Sequence, residues 1–60
     1  MNNKLMDNLA DWMISHGMVL SDRERSNYYC GVRIVEVLWR KKYYTIVQVD
    51  GLTCRIDEVK

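Results

Sequence analysis

Few side chains in this sequence have the character that chemistry demands. Its 60 residues include one histidine, His16, and two cysteines, Cys30 and Cys54, with eight carboxylates against nine lysines and arginines. A protein metal site needs several ligands at short spacing, and no CxxC or HxxxH pattern occurs, so neither a metal nor another cofactor is expected. Acid–base catalysis needs titratable groups that converge. His16 falls in the last turn of a predicted helix, where it answers the negative end of the helix dipole. Asp57 and Glu58 are neighbours on a predicted strand, so they point to opposite faces and cannot act as a carboxylate pair. Glu36, in mid-strand, is expected to pair across the sheet with Arg55 or a lysine. There is no glycine-rich phosphate loop and no nucleophile elbow. The sequence therefore predicts no enzyme.

Recognition is better represented than catalysis. Arginines and aromatics dominate the energetics of protein interfaces, and Arg33, Trp39, Arg40, Lys41, Lys42, Tyr44 and Arg55 form the expected partner-binding set. Cations interleaved with aromatics on a sheet also suit single-stranded nucleic acid, as in a small SH3-like or OB-like module. That alternative sits poorly with eight acids and a net charge of only +1.

The elements that must carry these residues can be read from periodicity. Residues 3–16 predict an amphipathic helix. Leu5, Leu9, Trp12, Met13 and His16 are expected on one face, widened by Met6. Lys4, Asp7, Asn8, Asp11 and Ser15 fall opposite, joined by Ile14. Asn2 or Asn3 suits the N-cap, and Gly17 the left-handed residue that follows a helix. A loop is expected over 17–28, with an optional short strand at 18–20. From 29 to 59 the period becomes two, predicting strands over 29–40, 43–49 and 52–58. Asp50-Gly51 has the composition of a type I′ hairpin turn, and Arg40, Lys41 and Lys42 form the other turn. The expected fold is α+β, a single domain in which one N-terminal helix packs on a three-stranded antiparallel meander.

The alternation also assigns faces. With a two-residue Asp-Gly turn, Val49 should oppose Leu52, Val47 Cys54 and Thr45 Ile56. These residues, with Tyr43, are expected to seat the helix, together with Val35, Val37 and Trp39. Cys54 would then lie inward, too far from Cys30 for a disulfide. Ile34, Leu38, Tyr44 and Ile46 remain on a second face that one helix cannot also cover. Contiguous apolar residues on an open sheet face mark an interface, so these four are the expected contacts of a homodimer.

A chain this short builds a thin core, and association is one usual compensation. No apolar run is long enough for a signal peptide or a membrane span, so a cytoplasmic location is expected. In size and in its lack of chemical motifs the chain is similar to accessory proteins of phages and mobile elements. The likeness is one of size and motif content, not of sequence. It implies an inhibitor or adaptor, an anti-defence inhibitor for instance, that binds a larger host protein.

Overall fold

A computed structural model describes residues 4–26 and 30–59. The expected N-cap at Asn2 or Asn3 and the start of the first predicted strand lie outside them. The described chain is one helix followed by four antiparallel strands in sequential order. These are α1 (Lys4–His16), β1 (Met18–Ser26), β2 (Gly31–Trp39), β3 (Lys42–Val49) and β4 (Leu52–Val59). The α+β class stands, and the optional short strand at 18–20 is the start of a full fourth strand that runs on to Ser26, where a loop was expected. Residues 21–26 lack apolar residues because β1 is a sheet edge. Asp22 and Glu24 alternate with Arg23 and Arg25, and a charged edge resists pairing with other chains.

The β2–β3 connection decides which face is buried. Only Arg40 and Lys41 form the turn, and both take positive φ, 52° and 66°. This two-residue I′ turn pairs Trp39 with Lys42, and therefore Val37 with Tyr44 and Val35 with Ile46. A three-residue turn through Lys42 would have aligned Val37 with Thr45. One residue of turn length thus exchanges the faces of β3. Tyr43, Thr45, Val47 and Val49 look away from α1, contrary to the expectation above, while Tyr44, Ile46 and Gln48 look toward it.

A bulge in β4 restores the fit further along. The Asp50–Gly51 turn does pair Val49 with Leu52, but Val47 then meets Arg55, leaving Cys54 as the extra residue. The slip brings Ile56 opposite Ile46 on the helix side. Cys54 is exposed at the bulge instead of buried, and neither cysteine is in a disulfide. The core comprises Ala10, Met13, Val35, Val37 and Ile46, with Ile14, Trp39, Tyr44 and Ile56 packed against it.

The helix sits closer to the sheet than its largest side chains would permit. Ala10 and Met13 are buried, whereas Leu5, Leu9 and Trp12 are 85%, 42% and 53% exposed. The inward stripe is Met6, Ala10, Met13, Ile14 and Gly17, rotated from the expected one. Gly17 lacks the positive φ of a helix-ending glycine. A Cβ there would stand 2.6 Å from the Met13 carbonyl oxygen, 2.8 Å from that of Leu38 and 2.8 Å from Val37 Cγ2. Close approach is its reason for being glycine. At the other end of α1, the Thr53 N–H at the bulge donates to Asp7 Oδ1 over 2.6 Å. Asp7, expected on the polar side, therefore ties the first helical turn to β4.

Candidate functional site

α1 packs on one face of the sheet, and among the described residues no helix packs on the opposite face. Pairing arranges its side chains in rows. Nearest the Asp50–Gly51 turn lie Arg25, Val32, Val49 and Leu52, followed by Arg23, Ile34, Val47 and Arg55. A polar row follows, Ser21, Glu36, Thr45 and Asp57, and then an apolar one, Met18, Leu38, Tyr43 and Val59. Leu20, the extra residue of a second bulge, lines a shallow hollow there with Tyr43, Thr45 and Val59. The apolar rows run between strands with no helix or loop of the described chain packed over them.

Charges on this face are locally matched. Arg23 Nη2 lies 3.5 Å from Glu36 Oε1, and Arg55 Nε lies 2.9 Å from Asp57 Oδ2. The Glu36 partner is thus Arg23, from the unexpected strand β1, instead of Arg55. All four side chains remain substantially exposed, so the pairs contribute little to the stability of the single chain. Their effect is on the pattern of the surface.

The residues expected to form the dimer contact divide between faces. Ile34 and Leu38 lie on the open face. Tyr44 and Ile46 lie beneath the helix, with Ile46 fully buried, because the short Arg40–Lys41 turn sets their register. The expected partner-binding set divides similarly. Arg55 is on the open face, whereas Arg33, Trp39, Lys42 and Tyr44 are on the helix side. Trp39 meets Tyr44 edge-on at 6.0 Å, and the Arg40 guanidinium stands 4.4 Å over the Trp39 ring. Lys42 Nζ reaches Glu58 at 3.7 Å. Lys41 is at the turn tip. These side chains do not make one patch.

Beyond the helix, the covered face opens into a polar hollow of about 610 Å³ lined by Asp22, Glu24, Gly31, Arg33, Gln48, Asp50 and Gly51. Its main groups are engaged. Arg33 donates from Nε and Nη2 to the two Asp22 oxygens at 2.9 and 2.6 Å. This fork holds the Asp22 carboxyl below its ordinary pKa and raises that of Arg33. Asp50 Oδ1 accepts from the Gly31 N–H at 2.9 Å, tying the turn to the start of β2. Among the described residues no three His, Cys, Asp or Glu side chains are grouped as metal ligands.

Most of the helical stripe expected from periodicity to face the sheet is instead exposed. Leu5, Leu9 and Trp12 form an outward helical stripe at i, i+4 and i+7, extended by His16. The imidazole stacks on Trp12 with ring centres 3.9 Å apart, and Nδ1–H donates to the Trp12 carbonyl at 3.1 Å. The small residues Ala10 and Gly17, seven apart on one face, were the available signal that this face, not the bulkier one, would meet the sheet. No helix among the described residues is long and apolar enough to cross a membrane. No family model, curated protein or solved structure matches the chain.

Proposed function

We propose that the protein works by binding, without chemistry of its own: it associates with itself through the open sheet face and acts on a larger protein as an inhibitor or adaptor, in the manner of a phage or mobile-element accessory protein. The observation that carries this reading is the open face, where Val32, Ile34, Val47 and Val49 adjoin across the two central strands, with Leu38 and Tyr43 beyond the Glu36–Thr45 row. Contiguous apolar surface of that kind is a characteristic of contact sites. The outward Leu5–Leu9–Trp12 stripe supplies a second surface, with the anchor spacing by which a helix enters a groove on another protein.

The nucleic-acid alternative has less support. Arg33 is engaged by Asp22, Lys42 by Glu58, Arg55 by Asp57 and Arg23 by Glu36. Cations already matched by carboxylates release few counterions on meeting phosphate. Titration of the intact chain with labelled single- and double-stranded DNA and RNA at low salt tests the choice. No binding is expected. Binding that weakens steeply with added salt would overturn the proposal in favour of a nucleic-acid module.

A further inference from the structure

We propose that the occupant of the open sheet face is a second copy of this chain, packed sheet to sheet about a two-fold axis that runs across the strands. This rests on the reading of that face as a self-association surface, and adds its geometry. The order of the rows points to it. Counting from the Asp50–Gly51 end, the face reads apolar with Arg25 at one edge, then apolar flanked by Arg23 and Arg55, then polar with Glu36 and Asp57, then apolar. Reversed on itself, that order sets the outer apolar rows over each other and brings the cations of the second row to the acids of the third.

Two aligned two-fold arrangements are available to stacked sheets. With the axis along the strands, β1 lies over β4 of the second copy at the same level, and Arg23 meets Arg55. Like charges then face each other on both sides of the axis. With the axis across the strands, each strand lies over its own counterpart in the opposite direction. Arg55 now meets Asp57 of the second copy, and the Val32–Val49 row meets the Leu38–Tyr43 row. Glu36 lies over Ile34 of the second copy, beside Arg23 of its own chain and diagonal to Arg23 of the other, which stands over Ser21. Charge complementarity selects this second arrangement.

The area is sufficient. Four strands at about 4.8 Å and eight residues at about 3.3 Å give a footprint of about 500 Å² on each copy. The total, about 1,000 Å², reaches the lower bound of specific interfaces and corresponds to a modest, reversible dimer. In the resulting layered assembly the two helices lie on the outside. Their Leu5–Leu9–Trp12 stripes remain available on opposite faces.

The test is sedimentation of the intact wild-type chain, Arg55→Asp, Asp57→Arg and an equimolar mixture of the two variants. Both sites are exposed on the edge strand β4, and circular dichroism checks that each variant is folded. Two contacts are reversed in each symmetric dimer, so each variant alone is expected to dimerise about tenfold more weakly than wild type. The mixture should recover the wild-type association. In the mixed dimer the introduced aspartate faces the introduced arginine, and the retained Arg55 of one chain faces the retained Asp57 of the other. A wild-type dimer that Arg55→Asp strengthens or leaves unchanged, or a mixture no better associated than its components, overturns this geometry while self-association stands. A wild-type chain that stays monomeric at high concentration overturns both.

Discussion

Two single residues govern how α1 sits on the sheet. Gly17→Ala inserts a methyl against two backbone carbonyl oxygens that cannot swing aside. It is expected to cost about 1–3 kcal/mol, as overpacking does, read as a lowered denaturant midpoint with unchanged slope. Asp7→Ala removes the charged acceptor of the Thr53 N–H, and Thr53 is buried. A loss of about 1–3 kcal/mol should follow in the same assay. The Asp22–Arg33 fork predicts a pH dependence. Because the folded-state pKa of Asp22 is lowered, its contribution is present above the ordinary aspartate range and is lost as pH falls through the lowered value. The stability difference between wild type and Asp22→Asn should accordingly be present at neutral pH and vanish in strong acid. None of these roles was legible in the sequence. Asp7 lay on the expected polar side of the helix, and Gly17 had a more ordinary explanation as a helix terminator.

Among the elements, the strands at 31–39, 42–49 and 52–59 were legible within a residue or two, since β-branched residues and an Asp-Gly turn leave little freedom. Their facing was not. Tyr43, Thr45, Val47 and Val49 are as suited to a core as Tyr44 and Ile46, so the pattern of β3 alone did not choose between them. The choice was made by a turn without glycine, Arg40–Lys41, whose two positive φ values are unusual for such residues. Replacing Arg40-Lys41 by Asn-Gly should therefore stabilise the domain by about 1–2 kcal/mol, seen as a raised melting temperature. Inserting one glycine after Lys41 should do the reverse. It permits the competing register that turns Tyr44 and Ile46 outward, and loss of cooperative unfolding is the expected readout. β1 was anticipated only as an optional short strand at 18–20, and its continuation to Ser26 was missed for a related reason: an edge segment with one row of charges on each face has no apolar period to detect.

For the molecule as a whole, the sequence contained more apolar alternation than one helix can cover, and that surplus was legible before its location was. Ile34 and Leu38 remain in the candidate contact face, while Tyr44 and Ile46 give way to Tyr43, Val47 and Val49. Glu36 is the polar residue at the centre of this face. It is paired with Arg23, and removing one partner of a pair that becomes buried leaves the other charge uncompensated. Glu36→Val is thus expected to weaken association, measurable by sedimentation. Whether the open face is a self-association surface is decided by sedimentation equilibrium of the intact chain over a wide concentration range, with Val47→Asp in parallel. A reversible monomer–dimer equilibrium is predicted for wild type, and a folded monomer for Val47→Asp. A wild-type chain that remains monomeric throughout, or a Val47→Asp variant that associates as well as wild type, would contradict it.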